Sequence, residues 1–211
     1  MPRRDPRLDR RALSLDIART LLASVGLLVA AAAFGATAAF DLGALTTLLG
    51  RVKSGEATFV EQRRVEMLDR TLESSGRLSF RAPDSFVRET LKPRREKLAV
   101  SGNSVTMSIG ERSRTMALDA SPEASVIVEA LRGTLTGNRE TLERLFEATV
   151  SGSAERWSLE LVPRDLRLRG QVASVRVSGR EGVAHEVQVL LADGDRSTMT
   201  IEPVAGTRAA P

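Results

Sequence analysis

The 211-residue sequence has no cysteine and no tyrosine, one tryptophan and one histidine. Without cysteine there are no disulfides, thiolate zinc sites, cysteine nucleophiles or lipid-modified N-terminal cysteine. One imidazole is too few for a two-histidine metal site, and no partner motif surrounds it. Aromatic residues make up 3% of the chain, too few for the stacking platforms that grip single-stranded nucleic acid. The charge excess is also small where it counts. Residues 1–38 contain six arginines against three aspartates, which leaves 25 basic and 24 acidic residues, a net of +1, in the rest of the chain. A body so near neutral lacks the electrostatic footprint of a nucleic-acid binder, so no nucleic-acid partner is expected.

What is present begins with a leader. An arginine-rich start precedes a charge-free apolar run from Leu21 to Phe34 and then Gly35-Ala36-Thr37-Ala38, with small residues at Ala36 and Ala38. Positive flank, apolar run and A-x-A site together read as a signal peptide over 1–38. An uncleaved anchor is the alternative, because the charge-free stretch reaches the roughly 20 residues that span a bilayer. Either reading puts the body, residues 39–203, outside the cytoplasm. Residues 204–211 have no pattern and read as a flexible tail.

Within the body, Asp41 to Val52 reads as a short helix capped by Asp41, with leucines at helical spacing. From Ala57 the period changes to two. Phe59, Leu78 with Phe80, Leu98 with Val100, Val105 with Met107 and Ile109, and Met116 with Leu118 alternate with polar residues. Turn signals at Ser74-Ser75-Gly76, Ala82-Pro83-Asp84, Lys92-Pro93, Ser101-Gly102-Asn103 and Gly110-Glu111 separate these runs. Ser121-Pro122 starts a helix bearing Val126, Ile127, Ala130 and Leu131, which Gly133 is expected to close. A second short helix from Gly137-Asn138 carries Leu142, Leu145 and Phe146. Strands resume with Trp157, Leu159 and Leu161, then Val172–Val177, Val183–Leu191 and Ser197–Glu202. The fold class is therefore mainly β with an α lid: a strongly curved antiparallel sheet, an unclosed β-barrel, covered by short helices.

No catalytic constellation emerges. His185 has no G-x-S-x-G serine to serve, the carboxylate pairs Glu140/Glu143 and Glu181/Glu186 lie on polar faces or turns, and no loop has phosphate-cradling spacing. No cofactor, no metal and no enzymatic activity are expected. Taken singly, the apolar positions read as core. Taken together, an apolar face with few polar orienting groups suits an acyl chain, whose burial yields about 0.8 kcal/mol per CH₂.

Several stretches carry a family resemblance: Phe59 with Gln62, Gly76-Arg77-Leu78, Arg81-Ala82-Pro83-Asp84-Ser85-Phe86, and Lys92-Pro93 with Leu98 and Ser101-Gly102. Trp157-Ser158-Leu159-Glu160-Leu161-Val162-Pro163 and Asp193-Gly194-Asp195 complete the set. In order and spacing over residues 41–203 they resemble the LolA family, periplasmic carriers of outer-membrane lipoproteins. The resemblance implies a half-barrel that shelters lipoprotein or other lipid acyl chains between an inner-membrane donor and an outer-membrane acceptor, acting as a monomer. The lining it suggests is Phe59, Leu78, Phe80, Phe86, Leu98, Val100, Val105, Met107, Met116 and Leu118 on the sheet side. Ile127 and Leu131 are added from the lid, and Trp157 and Leu159 from the far strands. Arg81 and Arg88 are the expected polar contacts at the mouth. Ala82 stands where the family often has the arginine that helps hold the lid shut, and the aromatic-poor interior also departs from the pattern, so a glycolipid precursor is an alternative cargo. The alternative role is an acyl-chain or envelope-stress sensor acting through a protein partner. Such sensors usually carry a second domain, and the short stretch after Pro203 favours the carrier.

Overall fold

A computed structural model describes residues 40–204 apart from Asp69 and the Leu68 side chain; the expected signal peptide and all but the first residue of the expected tail lie outside them. Eleven strands form one sheet in the order β6-β5-β4-β3-β2-β1-β11-β10-β9-β8-β7. The first six run Ser54–Val65 (β1), Arg70–Arg81 (β2), Ser85–Lys92 (β3), Glu96–Ser101 (β4), Ser104–Ile109 (β5) and Arg112–Ala117 (β6). The other five run Phe146–Ser153 (β7), Arg156–Pro163 (β8), Val172–Arg180 (β9), Val183–Leu191 (β10) and Arg196–Pro203 (β11). Each half is a plain meander, and the two join where β1 pairs with β11. Strands β6 and β7 are the free edges, so the sheet is not closed into a barrel.

Helix α1 (Leu42–Leu49) precedes the sheet, and α2 (Pro122–Thr136) and α3 (Arg139–Leu145) cross from one edge to the other. Cap chemistry fixes their starts. The Asp41, Ser121 and Asn138 side chains accept from the backbone N–H groups of Ala44, Ala124 and Thr141. Helix α2 runs past Gly133, where the sequence pattern stops it, and ends at Gly137, whose φ of 66° is the left-handed cap. Gly133 instead serves packing: a Cβ there would lie 2.7 Å from Leu142 Cδ2 of α3. The last short helix, α4 (Leu166–Arg169), lies between β8 and β9.

Three other expectations are corrected. Ser74-Ser75-Gly76 is not a turn but the middle of β2, where a register shift opposite β3 falls between Ser75 and Gly76. Phe146 opens β7 rather than closing a helix, and β7 itself escapes notice because Ala148, Thr149, Ser151 and Gly152 blur its alternation. Leu118 starts a 3₁₀ turn, Leu118–Ala120, after β6.

The main core forms where the helices meet the second meander. Leu45 and Leu49 of α1, Val126 and Ala130 of α2 and Leu142 of α3 pack on Phe146, Trp157, Leu159, Leu161, Val175 and Val177. At about 25 cal/mol per Å² of apolar surface, each large side chain so enclosed stabilises the fold by about 2 kcal/mol.

Candidate lipid-binding face

The pairing register sorts the side chains. Phe59 of β1 lies opposite Gly76 and Ile201, Phe80 opposite Phe86, Phe86 opposite Val100, and Val100 opposite Val105, which in turn faces Met116. Leu78 is opposite Arg88, Arg88 opposite Leu98, and Leu98 opposite Met107. Directly opposed residues share a face. All the β1–β6 residues suggested as lining therefore lie on one face of the first meander. Through β11 and β10 that face continues into Met199, Val187, Val177 and Leu159, so it is the inner face on which the helices rest.

The two halves of this face differ in cover. On the second meander it is sealed: Trp157 and Leu159 belong to the packed core, and Trp157 Nε1 donates to the Glu181 carbonyl at 2.9 Å. Ile127 and Leu131 of α2 are partly buried against the same core. On the first meander Phe59, Val100 and Leu118 are buried and Leu78, Phe80, Phe86, Leu98 and Val105 are half-buried. Leu72, Met107, Ile109 and Met116 remain 45, 45, 37 and 37% exposed. The floor there includes Phe80 stacked on Phe86, ring centroids 5.2 Å apart. On the first meander the apolar face is thus left partly open to water rather than roofed by helices along its whole length. Two hollows, of about 170 and 270 Å³, open on the opposite, outer face and are lined mostly by polar groups.

The two arginines part company. Arg81, one residue out of phase with Phe80, is exposed on the outer face beside the larger hollow. Arg88 points inward at the boundary between open and sealed halves. Its guanidinium lies 4.7 Å above the Phe59 ring and forms an ion pair with Glu61, whose carboxylate also accepts from Ser74 Oγ at 3.1 Å and Ser197 Oγ at 2.5 Å. Burial pushes the Glu61 carboxyl up, but the Ser197 hydrogen bond, the Arg88 charge and the bonds from Arg88 and Ser74 outweigh it and hold the group below 4.5. Arg88 Nε is buried with no hydrogen-bond partner. Glu61 had no sequence signal, because a lone glutamate on a mixed strand reads as solvated.

Arg132 was also missed. From α2 its Nη2 donates to the Gly102 carbonyl at 2.7 Å, in the β4–β5 turn, while Nη1 pairs with Glu129. One side chain therefore ties the helical cover to the open half of the sheet. No group of acidic, histidine or cysteine side chains among the described residues is placed to hold a metal ion. His185 falls at a register shift between Ala184 and Glu186 in β10, in the second meander.

Residues 12–210 match the family model described as outer membrane lipoprotein carrier protein LolA-like. The chain belongs to this family. A LolA superfamily protein from Nitrosomonas europaea is similar in structure at 9% identity, with a TM-score of 0.43 over 75% of this chain and 90% of that one. A DUF1329 family protein from Desulfovibrio piger gives 7% identity and a TM-score of 0.44, over 79% and 92% of the respective chains. LprF from Mycobacterium bovis gives 8% and 0.37, over 81% and 94%. No curated protein matches the chain at a significant level. Within the LolA-like family, the sheet and helices described above supply a fold related to lipoprotein carriers. No helix among the described residues is long and apolar enough to cross a membrane.

Proposed function

We propose that this LolA-like protein is a periplasmic carrier that holds acyl chains of a lipoprotein or another lipid against the inner face of its first meander. It performs no chemistry of its own and moves cargo, as a monomer, from an inner-membrane donor to an outer-membrane acceptor. The observation that carries this reading is the uneven cover of one continuous apolar face. Helices seal the half over β7–β10, whereas the half over β2–β6 leaves Met107, Ile109 and Met116 partly in water.

A soluble chain gains nothing in stability from large apolar side chains left wet in one contiguous strip. An acyl chain laid along that strip removes both surfaces from water, at about 0.8 kcal/mol per CH₂. The lining assigned to the cargo is Phe80, Phe86, Leu98, Val105, Met107 and Met116, with Phe59, Leu78 and Val100 beneath and Leu118 at one end. Arg88, with Glu61, Ser74 and Ser197, forms the polar cluster between the open and sealed halves. The cargo's amphipathic character fits a trough that is greasy along its floor and ionic at one boundary.

Delipidated protein titrated with a fluorescent fatty acid tests the reading. Saturable uptake, displaced by unlabelled acyl chains, is the expected result, and native mass spectrometry of protein from its own envelope should show bound lipid. A delipidated chain that takes up no acyl probe overturns the proposal.

A further inference from the structure

The open edge of the sheet is also where the body's positive charge collects. Residues 92–114 hold Lys92, Arg94, Arg95, Lys97, Arg112 and Arg114 against Glu96 and Glu111, a net of +4. The whole of 39–211 is only +1, so everything outside this segment is net negative, −3. The meander folds the segment into one tip. Glu96 is opposite Ile109 and Ile109 opposite Arg112, which brings the β3–β4 and β5–β6 turns to the same end of neighbouring strands. Arg94 pairs with Glu96; Lys92, Arg95, Lys97, Arg112 and Arg114 have no ion pair among the described residues.

The exposed apolar side chains of this edge are interleaved with those charges. Ile109 faces Arg112 across the β5–β6 pair, and Met107 faces Arg114, all four on the inner face. Strand β6 is exposed along its whole length and forms the free edge. Opposed arginines and large aliphatic groups on an exposed edge ribbon match a surface that is anionic outside and hydrocarbon beneath.

We propose that the β4–β6 tip docks on anionic phospholipid surfaces. The basic side chains meet phosphate groups while Ile109 and Met107 enter the interface. The inference goes beyond acyl carriage, because surface docking needs only the charge and the exposed rim.

The chain has no cysteine, so Ser113→Cys on exposed β6 gives a unique site for an environment-sensitive dye. In the full chain, phosphatidylglycerol vesicles are expected to shift its emission to the blue, and phosphatidylcholine vesicles are not. The same dye at Ser151→Cys, on the opposite edge strand, should stay unchanged. Each basic residue near an anionic surface is worth roughly fivefold in affinity, so Arg112→Gln with Arg114→Gln should weaken the response about 25-fold, and salt should weaken it further. Uptake of the fluorescent fatty acid by the double variant reports separately on the carrier reading. Equal shifts with both vesicle types, or no shift at Ser113→Cys with either, overturns the docking proposal even if acyl uptake persists.

Discussion

Arg88 lies across the face of Phe59, 4.7 Å from guanidinium carbon to ring centroid, and from there reaches Glu61 two residues further along the same strand. The stack places a cation on the electron-rich face of a ring that is itself buried, at the line where the sealed core gives way to the half-open part of the sheet face. The neighbouring rung is tightly closed. Gly76, opposite Phe59, has no side chain, and a Cβ on it would come within 1.9 Å of the Glu89 carbonyl of β3.

Removing one member of the ionic cluster should cost more than removing both. Arg88→Met strands the Glu61 carboxylate beside Ser74 and Ser197, and because both side chains retain some exposure the loss is about 1–2 kcal/mol. Arg88→Met combined with Glu61→Gln should recover part of it. Urea denaturation of the two single variants and the double variant measures this; additive losses would contradict the coupling.

The pH dependence follows from the lowered Glu61 carboxyl. A group whose folded pKa lies below its unfolded value stabilises the fold fully above the unfolded value, and that contribution disappears as pH falls through the folded one. Denaturation midpoints of the wild type should therefore decline below about pH 4.5. Glu61→Gln should lower stability at neutral pH and show a shallower decline in acid.

The two tight glycines should respond differently to alanine. At Gly76 the obstacle is backbone, the Glu89 carbonyl at 1.9 Å, so Gly76→Ala should disrupt the β2–β3 pairing and cost about 3 kcal/mol or more. At Gly133 it is the end of a flexible side chain, Leu142 Cδ2 at 2.7 Å, and alanine restores up to about 1 kcal/mol of helix propensity. Gly133→Ala should be much milder. Thermal unfolding of both variants gives the ranking.

Two substitutions should separate cargo binding from folding. Met107 is 45% exposed, so Met107→Lys should leave the unfolding midpoint nearly unchanged while weakening fatty-acid uptake at least tenfold. Val100 is buried opposite Val105 on the same face, and Val100→Asp should instead unfold the chain. Uptake by Met107→Lys equal to wild type would remove the trough from the binding site. The single tryptophan is a built-in control: sealed under the helices, Trp157 should keep its emission maximum as the probe binds.

Arg132 offers a test of the cover. With its bond to the Gly102 carbonyl removed in Arg132→Gln, α2 keeps its packing on α1, α3 and β9 but loses its tie to the β4–β5 turn. Acyl probe association should become several-fold faster, with a stability loss of about 1 kcal/mol. Stopped-flow fluorescence reads the rate.

What the sequence determined by itself was local. Alternation in 104–109 and 156–163, the Ser121-Pro122 and Asn138 caps, and the turns at Ser101-Gly102-Asn103 and Asp193-Gly194 depend on neighbours a few residues apart, and each is found where the pattern puts it. Two glycines and one strand misled because their roles are set by distant partners. Gly133 answers to Leu142, Gly76 to Glu89, and β7 exists because β8 offers it a ladder. The alternation also put Phe80, Phe86, Val105 and Met107 on one face without revealing which half of that face the helices would cover. Only the tertiary structure decided that, because cover depends on where α1, α2 and α3 find matching apolar surface: they find it on Phe146, Trp157 and Leu161, and leave Met107, Ile109 and Met116 of β5 and β6 partly exposed.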